Sequence, residues 1–338
     1  MNANPVLAEL VRGNAVENLH RGTFCVSDAH GNIITSAGDI DRPVFPRSAI
    51  KSLQALAIFR SGAAEKFNLT EEHLAIACAS HGAEAVHVAA VTDFLATIGL
   101  SIDNFECGAH PPGNKQARDA LRAAGVAPTA IHNNCSGKHS GMLAGALALG
   151  VDPAGYINRD HPEQKLVRQC VEDLTGVQLS EDRCGTDGCS IPTFAGPLRG
   201  FARGFARMAT GEELSPEDAA AGKRIFDAAT SHPILVGGTG VFDSEIMEAY
   251  GGRLMLKVGA EGVYCGAVRD KGWGFALKCD DGLQKAAQAM IAALLTMIAD
   301  PGPEQKKVLD RSTNQVITNW NKFEVGVLRP TQAAYPVL

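Results

Sequence analysis

The sequence predicts an α+β fold, and three features carry that prediction. Strand-like runs stand at both ends of the chain, a long helical block separates them, and the returning strands bring one further long helix. In chain order, "HRGTFCVSDAHGNIITSAG" (20–38) reads as a β-hairpin, with alternating residues flanking a turn at Ala29-His30-Gly31-Asn32. Pro43 and Pro46 break the chain, and a helix is expected from Arg47, with Ile50, Leu53, Leu56 and Ala57 at helical spacing. Between 71 and 230 the segments "AVHVAAVTDFLATIG", "NKQARDALRAAG", "GKHSGMLAGALALG", "HPEQKLVRQCVEDLTG" and "SPEDAAAGKRIFDAAT" read as helices joined by Gly/Pro loops. The last has an explicit start signal, Ser215 as N-cap and Pro216 at the first helical position. From 253 onward "RLMLKVG", "GVYCGAV" and "WGFALKC" read as strands, followed by a helix over 282–299 and a last strand near "FEVGVL". The first and last strands are expected to share one sheet. That gives a sheet subdomain of about 1–46 and 231–338, a helical subdomain of about 47–230, and a cleft where they meet.

Composition narrows the function. The 338 residues are 45% hydrophobic and 20% charged, as in ordinary globular proteins. A net charge of -6 and a pI near 5.9 argue against a nucleic-acid partner, which needs a basic surface. The opening "MNANPVLAELVRGNAVENLHRG" shows no basic segment followed by an apolar run. The longest apolar stretch, "AAQAMIAALLTMIA" (286–299), falls short of the roughly 20 residues a membrane helix needs. A cytoplasmic protein without a membrane partner is expected. The 9 cysteines, an odd number, do not read as a disulfide framework. Cys25, Cys78 and Cys279 read as buried apolar groups, whereas Cys135 and Cys189 lie in Gly-rich polar loops and fit that role less well.

Several familiar motifs fail. "CSGKH" (135–139) is not a phosphate-binding loop, because His132 stands where its first glycine belongs and His139 follows Lys138. "VGGTG" (236–240) lacks dinucleotide-binding spacing, and neither H-E-x-x-H nor G-x-S-x-G occurs.

Ser48-x-x-Lys51 survives. Residues three apart on a helix share a face, so a lysine amine can take the serine proton if it is neutral. Holding a lysine neutral near pH 7 means lowering its pKa by about three units, at a cost of roughly 4 kcal/mol. The plain alternative is a solvated helix face. Penicillin-recognising serine enzymes pair S-x-x-K with a later K-T-G on a strand. Here Lys257-Val258-Gly259 ends the strand "RLMLKVG", and Ser80 closes the apolar run "LAIACAS". Two pairs, Ser48/Lys51 and Ser80/Lys257, are therefore expected in one cleft, the alternative for Ser80 being the N-cap of a helix starting near Glu84. A second constellation joins "HNNCSGKHSGM" (132–142) to "CGTDGCSIP" (184–192). Cys135 and His139 have i,i+4 spacing and Cys189 adds a thiol, a donor set suited to zinc. The alternative is packed loop thiols and structural histidines. Asp187, between Thr186 and Gly188, either binds a substrate amine or holds its turn.

Taken together, "RSAIKSLQALA", "CASHGAE", "NNCSGKHSGMLA", "GTDGCSIPTF", "HPILVGGTGVFDSEIM" and "LKVGAEGVYCGAV" closely resemble the asparaginase II family, the class 3 or rhizobial-type L-asparaginases, over about residues 10 to 330. The resemblance implies a serine β-lactamase-like fold, a homodimer, and hydrolysis of L-asparagine to L-aspartate and ammonia. It implies Ser48 as nucleophile with Lys51 as its activator, Ser80 and Lys257 as a second tandem, and a zinc ion held by Cys135, Lys138 and Cys189. It places Asp187 near the substrate amine, keeps His139 beside the site, and gives Arg47 and Glu84 supporting roles. Asp243 departs from the pattern, standing where some members carry a cysteine, and the loop 108–114, "GAHPPGN", is a second variable place. Both bear on substrate access or preference.

Overall fold

The computed structural model describes residues 3–338. Twelve strands are formed: β1 (Val6–Arg12), β2 (Ala15–Ser27), β3 (Ile33–Ala37), β4 (Pro43–Val44), β5 (Cys184–Thr186), β6 (Pro192–Phe194), β7 (Gly196–Pro197), β8 (Leu254–Gly259), β9 (Val263–Val268), β10 (Trp273–Cys279), β11 (Gln315–Thr318) and β12 (Glu324–Pro330). Eight of them make one sheet in the order β11-β12-β1-β2-β10-β9-β8, with β3 also on β2. Every pairing in it is antiparallel. The expected sharing of N- and C-terminal strands is seen directly, since Leu10 faces Leu328 and Cys25 faces Ala276. The architecture is α+β, with the helical stretch inserted between the two sets of strands.

The central strands are covered on both faces. All six residues of β9 are buried, because helix Gln284–Ile298 lies on one side and helix Leu198–Thr210 on the other. Helix Gln284–Ile298 buries Met290, Ile291, Leu294, Leu295 and Ile298, each at 1% exposure or less. Each such side chain contributes roughly 1.5–3 kcal/mol. Gly274 on β10 permits the close seat of the other helix, since a Cβ there would stand 1.9 Å from Ala202 O. The Ser215 cap forms as expected, its Oγ accepting from Asp218 N at 3.1 Å ahead of Pro216.

Two expectations need correction. The helix from Arg47 is not continuous; a 3₁₀ turn Arg47–Ile50 leads into two short helices, Lys51–Gln54 and Leu56–Arg60. Its cause is local: Arg47 is left-handed at φ 52 and Ile50 is non-helical at φ -110, ψ 18. Cys135 and Cys189 are also buried, at 5% and 3% exposure, because both loops fold into the interior, whereas the neighbouring Cys184 is only half-buried.

Candidate active site

The site begins where the chain is strained. Arg47 holds a positive φ although it carries a side chain, a state costing about 1–3 kcal/mol. What offsets this is a pair of hydrogen bonds, Arg47 Nε and Nη2 both donating to Asp187 Oδ1 at 3.0 and 2.7 Å. Asp187 also holds its own turn, its carboxylate accepting from Gly188 N and its carbonyl from Ser190 N. The turn-holding reading of Asp187 is therefore seen, together with its pairing to Arg47. Burial pushes its carboxyl up, but the Arg47 hydrogen bond and the nearby Lys138 and Arg47 charges outweigh it and keep the acid ionised. Ser48 follows Arg47 and is half-buried. The end of β8 presses on this turn: a Cβ on Gly259 would stand 2.6 Å from Pro46 O and 3.0 Å from Ala49 N.

Lys51 is 1% exposed, so the solvated-face alternative is excluded. Its Nζ donates to Ala79 O, to Ser80 Oγ at 3.1 Å and to Cys135 Sγ at 3.2 Å. The structure thus brings Lys51 to Ser80; among the described hydrogen bonds none joins Lys51 to Ser48 or Lys257 to Ser80. Ser80 is held by its own N–H, which donates to Val236 O. It does not cap the following helix, Ala85–Thr97, which starts with Glu84 N donating to His87 Nδ1. Glu84 reaches the other way and ties down Thr239 through N and Oγ1 at 2.9 and 2.7 Å. Lys257, 2% exposed, donates to Val258 O and stands 3.8 Å from Asp243 Oδ2. Burial pulls its pKa down to about 8, against the opposing pull of Asp243.

Cys135, Lys138 and Cys189 converge behind Lys51. Lys138 Nζ donates to Cys189 Sγ at 3.0 Å. The neighbouring Cys189 and the charges of Lys51 and Lys138 pull the Cys135 thiol down, while Cys135 and burial push the Cys189 thiol up. Burial opposes the Lys138 charge, but the sulfurs outweigh it and keep the ammonium. The donor set suits a soft or borderline dication: two sulfurs and an amine, with one tetrahedral position left over. It reaches three donors only with the lysine; among the described residues no three His, Cys, Asp or Glu side chains group for a metal. His139, one residue on, is fully buried with Nδ1 2.7 Å from Tyr156 Oη. Two buried acids complete the surroundings. Asp243 was legible as a departure from pattern, whereas nothing in the sequence marks Glu163, which shares a cavity with Lys51 and Lys138. A cavity of about 690 Å³ lies between Val86, Ile234 and Met247 and is lined by none of these site residues.

Fold and side chains define a class, an α+β protein with serine, lysine and cysteine side chains gathered in a buried site. The L-asparaginase II family profile matches residues 8–330, and the chain belongs to that family. A search of curated proteins gave no match. Among solved structures, Mglu in its native form is similar at 15% identity, covering 78% of this chain and 60% of that one with a TM-score of 0.41. A β-lactamase from Mycobacterium bovis is similar at 13% identity, covering 81% of this chain and 94% of that one with a TM-score of 0.43. The chain therefore spans about 60% of the Mglu chain's length. Among the described residues no helix is long and apolar enough to cross a membrane.

Proposed function

We propose that the protein hydrolyses L-asparagine to L-aspartate and ammonia through an acyl-enzyme on Ser48. The observation that carries this reading is the buried Lys51 amine, 3.1 Å from Ser80 Oγ and one turn from Ser48, beside the Arg47–Asp187 pair. Once its ammonium has given up a proton, Lys51 takes the Ser48 proton, and Oγ attacks the side-chain amide carbon. Backbone N–H groups stabilise the oxyanion. The proton passes from Lys51 through the Ser80 hydroxyl to the amide nitrogen, the C–N bond breaks, and ammonia leaves. Water then loses a proton to Lys51 and attacks the ester, and the proton returns to Ser48 as aspartate departs. Asp187 has one oxygen engaged by Arg47 and Gly188, and the other binds the substrate ammonium.

Cys135, Lys138 and Cys189 would hold a zinc ion, which when bound supplies a Lewis-acidic point that helps hold the substrate. Loading it requires Lys138 and Cys189 to give up their protons. Trp320, fully exposed, and Phe323, at 67% exposure, support a homodimer, since an isolated chain leaves this apolar surface in water. The nine free cysteines support a reducing setting, the cytoplasm.

A second reading has its own observation. Lys51 bonds Ser80 directly, which favours Ser80 as the attacking hydroxyl. Serine-type glutamine or β-lactam hydrolysis remains the competing chemistry, and assays on asparagine, glutamine and nitrocefin separate the three. Ser48→Ala is expected to abolish ammonia release while zinc content is unchanged; near-normal turnover removes Ser48 from the nucleophile's role. Verified zinc removal should raise KM more than it lowers kcat, and an unchanged KM contradicts the positioning role.

A further inference from the structure

Asp243 and Lys257 are buried together, at 1% and 2% exposure, with Nζ 3.8 Å from Oδ2. The same Oδ2 accepts from Val258 N at 3.3 Å, so the carboxylate is fixed to the strand that carries the lysine. Asp243 also sits in the first turn of helix Phe242–Tyr250, where the helix N-terminus favours a negative charge. Its surroundings are closed. A Cβ on Gly237 would stand 3.6 Å from Oδ1, and the adjacent Val236 carbonyl is the acceptor for Ser80 N. The carboxylate and Lys257 are thus tied together, and Ser80 is held by the residue next to Gly237.

We infer that Asp243 is a positioning residue: its buried carboxylate fixes Lys257 as a cation in the site. The catalytic half of this inference rests on the asparaginase reading above; the ion pair does not. The logic is charge balance. A carboxylate 3.8 Å away favours the ammonium form of Lys257. The titratable groups facing Lys257 are Asp243 from helix Phe242–Tyr250, Lys51 from helix Lys51–Gln54, the Cys78 thiol beyond helix Glu71–Ala77, and Cys135. Only Asp243 is a carboxylate. Tyr264 lies within the field of Asp243, and burial pushes its hydroxyl up, so it stays neutral. Among the described hydrogen bonds and ion pairs, Lys257 contacts none of Cys135, Lys138 and Cys189. A fixed ammonium is suited to meeting a negative group of the substrate or its transition state.

The test is a double-mutant cycle with Asp243→Asn, Lys257→Met and the double variant, read by urea unfolding at about pH 6 and about pH 9.5. At pH 6 the unfolding constants should show coupling of about tenfold or more, falling below about twofold at pH 9.5 as Lys257 loses its proton. If Asp243→Asn fails to fold at pH 6 and the double variant folds, the pair is likewise supported, because a neutral pair replaces a lone buried cation. Coupling absent at pH 6, or two variants equally unfolded, overturns the inference. In kcat/KM for asparagine, Asp243→Asn should move the alkaline limb to lower pH by about one unit, since losing the carboxylate lets Lys257 deprotonate earlier. An unmoved limb overturns the role in catalysis. If asparagine is not hydrolysed at all while the cycle shows its pH-dependent coupling, the asparaginase reading fails and the ion pair stands.

Discussion

Replacing Glu163 with glutamine should stabilise the protein, and by an amount that depends on pH. Glu163 is 1% exposed, and neither carboxylate oxygen has a hydrogen-bond partner. It begins the helix Pro162–Thr175 and packs against Gly145, where a Cβ would stand 2.3 Å from Oε2. Burial pushes its pKa from 4.5 up to about 8. The folded protein therefore holds a proton that the unfolded chain releases near pH 4.5, and stability falls as pH rises from 4.5 through about 8. At about 1.4 kcal/mol per unit the loss reaches ~5 kcal/mol above pH 8, less about 0.5 kcal/mol for a charge at a helix start. Glutamine cannot ionise and escapes the loss. For 338 residues, unfolding entropy gives about 1.4 °C per kcal/mol, so Glu163→Gln should melt about 6 °C higher at pH 8.5 and within about 1 °C of wild type near pH 4.5. Calorimetric or circular-dichroism melts across that range measure it. A variant no more stable than wild type at pH 8.5, or equally stabilised at both ends, refutes the ionisation argument.

Gly259→Ala places a methyl 2.6 Å from Pro46 O and displaces the turn carrying Ser48. Turnover of asparagine should fall about 100-fold, with a melting temperature within a few degrees of wild type, because about 1 Å of misplacement costs that much; unchanged kcat removes the turn from the site. The protein should also weaken above pH 9. Burial pushes the thiols of Cys25, Cys78, Cys107, Cys170 and Cys279 up to about 12, so the unfolded chain loses those protons first and each thiol lowers stability by up to about 1.4 kcal/mol per pH unit between 9 and 12. Urea midpoints at pH 8 and 10 check this, and a midpoint that does not fall contradicts it.

The repeating elements were legible because their signals are local. The 20–38 hairpin, the Ser215 cap and the strands around 254–279 all follow from side-chain period and turn chemistry within a few residues. The sharing of one sheet by the chain's two ends followed from element order. The site was legible as a set of residue types: Lys51, Ser80, Cys135, Lys138 and Cys189 do converge. Their pairing was not. Spacing joins Lys51 to Ser48, but the fold turns its amine toward Ala79 and Ser80, whose position depends on how helix Glu71–Ala77 lies against the turn. The left-handed Arg47 was equally hidden, because its support comes from Asp187, 140 positions away in sequence. Glu163 gives no sequence signal at all, since an acid at the start of a helix is ordinarily solvated. Only tertiary packing closes it off.

The central claim is that Ser48 carries the acyl group. Acid-quenching the enzyme during turnover of L-asparagine, then mapping peptides by mass spectrometry, tests it most directly. The account predicts an aspartyl ester on the peptide containing Ser48 and none on the peptide containing Ser80. An ester on Ser80, or steady ammonia release with neither serine modified under conditions that trap esters, would contradict it.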